Sequence, residues 1–174
     1  GLRADLKKVD LKSPTVGKKP PKGATVLLPY KPGKKTNLDK WTNGNWELLD
    51  DGSAKVASGS NDTKQLFKNV KLHLEFYLPQ EFYRLGQHRA NSGFFFCDTT
   101  YEVHVLDSFG FILSAGDCGS LYGIKAPGAN ASLPAETWQA YDIIFTAPVM
   151  SKSGKVVKLP RISVELNGVL VHDD

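Results

Sequence analysis

Apolar side chains recur at every second position from Lys71 onward, and after residue 36 no 3.6-residue stripe persists for three turns. That period belongs to strands. In Val70 to Leu78, Val70, Leu72, Leu74, Phe76 and Leu78 fall on one face and Lys71, His73, Glu75 and Tyr77 on the other. The same alternation predicts strands over Gly93 to Cys97, Tyr101 to Leu106, Tyr141 to Thr146 and Arg161 to Leu166, with earlier ones near Trp46 to Leu49 and Ala54 to Ser58. The unbroken apolar run Phe94-Phe95-Phe96 predicts a strand buried on both sides. Asn167-Gly168 stands between β-formers, and both residues tolerate the positive φ of a two-residue type I′ hairpin, which would lead into a last strand over Val169 to His172. Asp107 to Glu136, rich in Gly, Ala, Ser and Pro, reads as a loop excursion with at most a short helical turn; loops of such length usually carry function. Many short antiparallel strands with one-sided patterning imply an all-β sandwich or jelly roll.

A chain of 174 residues with 41% apolar content is one domain's worth and can bury a core. It has no apolar run of membrane-spanning length, and Gly1 to Asp10 lack the apolar centre of a signal peptide, so any export signal is expected to have been removed. The net charge of +4 is unevenly spread. Residues 1–35 hold ten Lys and Arg against two Asp, which leaves the remainder with twelve basic and sixteen acidic side chains, a net of −4. Residues 1–23 therefore read as a basic Lys/Pro-rich flexible arm and 24–174 as the folded domain. The arm has no aromatic interleaving for base stacking, which argues against nucleic acid. Cys97 and Cys118 fit no four-ligand zinc pattern; in an exported protein they favour one bridge over two free thiols, the alternative being two small buried residues. No phosphate-cradling Gly-rich loop precedes a helix, so nucleotide chemistry is not expected, and no metal or cofactor is implied.

A series of segments resembles the 3-keto-disaccharide hydrolase family, a former domain of unknown function. They are Asn37-Leu38-Asp39-Lys40-Trp41, Asn91-Ser92-Gly93-Phe94-Phe95-Phe96, Tyr101-Glu102-Val103-His104-Val105-Leu106-Asp107-Ser108, Gly119-Ser120-Leu121-Tyr122-Gly123-Ile124, Glu136-Thr137-Trp138 with Tyr141-Asp142-Ile143, and Leu166-Asn167-Gly168-Val169-Leu170-Val171-His172-Asp173. The resemblance runs in order from about residue 24 to the end. It implies a concanavalin-like jelly roll related to laminarinase-type glycoside hydrolases, and a carbohydrate ligand. Members of the family continue past the Asn-Gly hairpin, whereas this chain ends at Asp174. The last strand is therefore expected to find a second neighbour in an N-terminal segment such as Ala24 to Leu28, in a companion chain or in an oligomer mate.

Glu102 and His104 lie two apart on one strand, so their side chains share the face opposite Tyr101, Val103 and Val105. A carboxylate and an imidazole so placed can act as general acid and base; the plainer role is to satisfy neighbouring polar groups. His73 and Glu75 are expected on the same sugar-binding face of another strand. Asp107, at a strand end, either points into the mouth of the site or caps the following turn. Tyr122 and Trp138 are candidates for stacking on a sugar ring, with core packing the alternative for Trp138. Lys125, in the excursion, can bind a substrate oxygen or simply be solvated. His88 and Arg89, on a turn, carry little weight alone, and Cys97 has no partner that would activate it.

These residues and the resemblance lead to an extracytoplasmic hydrolase or lyase acting on a glycoside. The keto-sugar substrate comes from the resemblance alone: a 3-keto group acidifies the C2 proton, so a base such as Glu102 or His104 can drive loss of the C1 substituent, followed by hydration. The competing expectation is a non-catalytic carbohydrate-binding or structural jelly-roll module.

Overall fold

The alternating segments become strands, and every ladder they form is antiparallel. The structure is a computed structural model that describes residues 9–57 and 59–174. The first eight residues of the expected arm, and Ser58 at the end of an expected strand, lie outside the described residues. The strands are β1 (Glu47–Leu48), β2 (Ala54–Lys55), β3 (Asn69–Tyr77), β4 (Ser92–Phe96), β5 (Tyr101–Val105), β6 (Trp138–Thr146), β7 (Val149–Met150), β8 (Val156–Lys158), β9 (Arg161–Leu166) and β10 (Val169–His172), with a 3-10 turn at Gly86–His88. Among the described residues no helix is long and apolar enough to cross a membrane.

Contacts divide the chain into two units, residues 18–67 and residues 9–17 with 68–174. The smaller unit holds the β1–β2 pair and a Trp41–Trp46 contact with ring centroids 5.1 Å apart. The larger is the β-sandwich. Its principal sheet has the order β10-β9-β6-β3, with Leu72 opposite Ile143 and Ile143 opposite Val164, so that apolar residues of three strands line one face. Against this face packs the β4–β5 hairpin, which contributes Phe96, Val103 and Val105; Phe96 stacks on Phe145 with centroids 4.7 Å apart. Ile143, Val164, Leu166 and Tyr141 are fully buried here, each apolar side chain contributing roughly 1.5–3 kcal/mol by its removal from water.

The hairpin from β9 to β10 forms as the Asn-Gly pair predicts, with Asn167 at φ 52° and Gly168 at φ 78°. Asn167 does more than turn the chain. Its amide ties the hairpin to Ala140, Ala131 and Gln139 at 2.9–3.0 Å. Beyond its β9 ladder, β10 meets the excursion, since Gly128 N–H donates to the Val171 carbonyl at 2.8 Å. Ala24 to Leu28, named as one candidate partner for that edge, are not in a strand.

In the stretch read as a flexible arm, Thr15 is buried, Pro14 and Thr15 lie beside Gly168, and Gly17 N–H donates to Glu75 Oε1 at 2.6 Å. Two further expectations are corrected. Phe95 is 49% exposed, because β4 has the core on one side only. Cys97 and Cys118 are both free, the first at the β4–β5 turn and the second buried with Sγ 3.3 Å from the Tyr141 hydroxyl. The β7–β8 pair was not anticipated at all.

Candidate active site

On the outer face of the β4–β5 hairpin, alternation puts Gly93 and Phe95 opposite His104 and Glu102. The absence of a side chain at Gly93 makes room for the carboxylate: a Cβ there would lie 2.1 Å from Glu102 Oε1. The other edge of β5 is covered by the excursion. Ser120 and Tyr122 run beside it, with His104 N–H bonded to the Ser120 carbonyl and Tyr122 N–H to the Glu102 carbonyl, each at 3.0 Å. This pairing lays the Tyr122 ring on the His104 ring with centroids 4.6 Å apart.

His104 is thereby enclosed, at 1% exposure, while the Glu102 side chain keeps 17%. The imidazole reaches Glu102 Oε1 through Nδ1 at 3.2 Å and Gln87 Oε1 through Nε2 at 3.0 Å. Burial pushes the His104 pKa down, opposed by the hydrogen bond and charge of Glu102 and by the charge of Asp117. Only Glu102 of the pair is open to a ligand. The turn that carries Gln87 also helps line a shallow recess of about 440 Å³ bordered by Tyr83, Arg84, Leu85 and His88.

Asp107 neither faces this opening nor caps the following turn. Its buried carboxylate pairs with Arg89, whose guanidinium also lies over the Phe111 ring at 5.4 Å, and Asp107 N–H donates to the Arg89 carbonyl. The ion pair staples the Gln87 turn to the end of β5, and removing one partner would leave an uncompensated buried charge. Lys125 is exposed and closes a tight turn back to Leu121.

His73 and Glu75 are not on the Glu102 face. Their strand turns Leu72 and Leu74 to the core, so His73 and Glu75 point outward from the principal sheet, on the opposite side of the sandwich. There His73 Nδ1 meets Asp142 Oδ1 at 2.9 Å and Nε2 meets Glu75 Oε1 at 3.2 Å. Trp138 shares that outer face, 37% exposed, with its ring against Tyr77 and beside a cleft of about 670 Å³ between residues 9–16 and 134–138. Of the eight residues singled out in the sequence, the structure gathers Glu102, His104 and Tyr122. It pairs Asp107 with Arg89, leaves Lys125 exposed on its turn, and puts His73, Glu75 and Trp138 on the outer face of the principal sheet. Gln87 escaped notice, and no local pattern marks it. Among the described residues no group of three or more His, Cys, Asp or Glu is placed to hold a metal ion.

The family model for 3-keto-alpha-glucoside-1,2-lyase-like domains matches residues 23–174. The chain belongs to that family. The solved structure of a candidate glycosyl hydrolase from Parabacteroides distasonis is similar over 84% of this chain, at 32% identity and a TM-score of 0.72. The chain spans 64% of the length of that neighbour. No curated protein matches it. Family and neighbour are both glycosyl-hydrolase-like, and the similarity of fold agrees with the all-β sandwich or jelly roll that the strand pattern implies.

Proposed function

We propose that this domain cleaves a glycoside oxidised to a ketone at C3, with Glu102 as the group that moves the proton. The observation that carries the reading is the partly open carboxylate of Glu102 backed by an enclosed imidazole, in a family described by 1,2-lyase chemistry. Glu102 takes the C2 proton, and the electron pair of the C–H bond passes into the enolate of the C3 ketone. As the enolate collapses, the C1–O bond breaks and the leaving oxygen takes a proton from Glu102. Addition of water across the resulting C1–C2 double bond completes hydrolysis; without it the reaction is a lyase reaction. Tyr122, exposed on one side beside His104, supplies an apolar ring face for the sugar. The proposal includes an extracytoplasmic site of action.

The test is incubation with a 3-keto-disaccharide and, separately, with the same disaccharide unoxidised. Release of monosaccharide or its dehydrated product from the keto form alone is expected. Binding of both forms without turnover would instead make the domain a carbohydrate-binding module.

A further inference from the structure

Gln87 stands outside every motif of the sequence, yet its amide determines where the protons of the site lie. Its Nε2 is 2.7 Å from the Gly116 carbonyl oxygen, which can only accept, so that end of the amide is the NH2 group. Its Oε1 therefore faces His104 Nε2 at 3.0 Å and also accepts from Asn91 Nδ2 at 3.1 Å. An amide oxygen cannot donate, so His104 Nε2 carries a hydrogen. A neutral ring in that form has a bare lone pair on Nδ1, and Nδ1 lies 3.2 Å from Glu102 Oε1. A lone pair held against a carboxylate anion is repulsive, and the contact is sound only with a proton between the two atoms.

Building on the proposed function, we infer that Gln87 is a positioning residue that fixes His104 in its Nε2–H form, so that Nδ1 and Glu102 share a single proton and Glu102 alone exchanges protons with substrate. The shared proton has two homes, on Oε1 beside a neutral ring or on Nδ1 beside a carboxylate, and both leave the pair with no net charge. Burial of the ring favours the first, while the hydrogen bond and charge of Glu102 and the charge of Asp117 favour the second. Among the described residues Glu102 Oε2 has no hydrogen-bond partner, which leaves it for the ligand. When Oε2 takes the C2 proton, the shared proton moves from Oε1 to Nδ1. It returns when Oε2 delivers its proton to the leaving oxygen, so nothing is released to water and no co-reactant is needed. Without Gln87 the ring can settle as the Nδ1–H form facing a carboxylate, with a bare Nε2 and one proton fewer on the pair.

The experiment is long-range nitrogen–proton NMR of the histidine side chains of the ligand-free 15N-labelled protein near pH 7.5, with His104 assigned by the signal lost in His104→Gln. Wild type should show Nε2 protonated. Gln87→Leu should convert His104 to the Nδ1–H form, and Gln87→Glu, which keeps the acceptor towards Nε2 while giving up the bond to the Gly116 carbonyl, should preserve Nε2–H. On a 3-keto-disaccharide, Gln87→Leu should lower kcat about 10-fold at unchanged KM, with Gln87→Glu rescuing most of it. A wild-type His104 found neutral with hydrogen on Nδ1 overturns the inference whatever the variants do, as does an unchanged form in a folded Gln87→Leu. Inactivity of the wild type with the predicted spectra would count against the proposed function and leave the proton assignment standing.

Discussion

The placement of Glu102 over Gly93 yields a quantitative test by double-mutant cycle. In Gly93→Ala the new Cβ would sit 2.1 Å from Oε1, 2.7 Å from Cγ and 2.8 Å from Cδ of Glu102, so the carboxylate must move by more than an ångström. Its hydrogen bond to His104 is then lost, and Nδ1 of an enclosed ring is left without a partner, at a cost of about 1–3 kcal/mol. Against this stands a gain of roughly 0.5–1 kcal/mol, since alanine loses less conformational freedom than glycine in a strand. The net expectation is destabilisation of about 1–2 kcal/mol, measured by urea unfolding. In a Glu102→Ala background the obstacle is gone, and the same Gly93→Ala change should be neutral or stabilising by roughly 0.5–1 kcal/mol. An equal effect of Gly93→Ala in both backgrounds would refute the placement of the carboxylate.

Asn167→Ala removes the amide bonds to Ala140, Ala131 and Gln139 and puts alanine at φ 52°, so a loss of about 3 kcal/mol in unfolding free energy is expected, against a smaller loss for Asn167→Gly, which relieves the backbone only. His172 donates from Nε2 to the Gly119 carbonyl at 2.8 Å with Nδ1 buried and unpartnered, and burial lowers its pKa. The unfolded chain therefore takes up the proton first: His172 contributes stability above about pH 6.5 that falls away as pH drops through the folded value, and His172→Gln should flatten that decline in urea midpoints between pH 8 and 5. Both thiols have raised pKa values through burial, but only Cys97 is partly open, so a thiol reagent should modify one cysteine slowly in the native state and the second only on unfolding.

Strand positions were legible because a period of two is imposed by the pleat itself, and the Asn-Gly hairpin because so few pairs accept two positive φ angles. Alternation has a limit that His73 and Glu75 expose. It tells which residues share a face of one strand, but not which side of a sandwich that face ends on. Glu102 and His104 point away from the core on β5, and His73 and Glu75 do so on β3, which puts them on opposite sides. The β7–β8 pair was missed because its strands are two and three residues long and exposed throughout, giving no apolar face to detect. Gln87 was missed for a different reason. Its partners His104 and Gly116 lie 17 and 29 residues away and meet it only once the excursion has folded along β5. Arg89 acquires its meaning in the same way, through Asp107, 18 residues further on.

Transfer of the C2 proton is the step on which the functional account depends, and it is measured directly by running the reaction of a 3-keto-disaccharide in D2O. Wild type should release monosaccharide and leave an oxidised sugar that has lost its C2 hydrogen, either as the C1–C2 unsaturated product or, where water has added, with deuterium at C2, and Glu102→Gln should slow that release at least about 100-fold, the order expected when a general base is removed. Release of a product that keeps its original C2 hydrogen, at a rate unchanged by Glu102→Gln, would contradict the account.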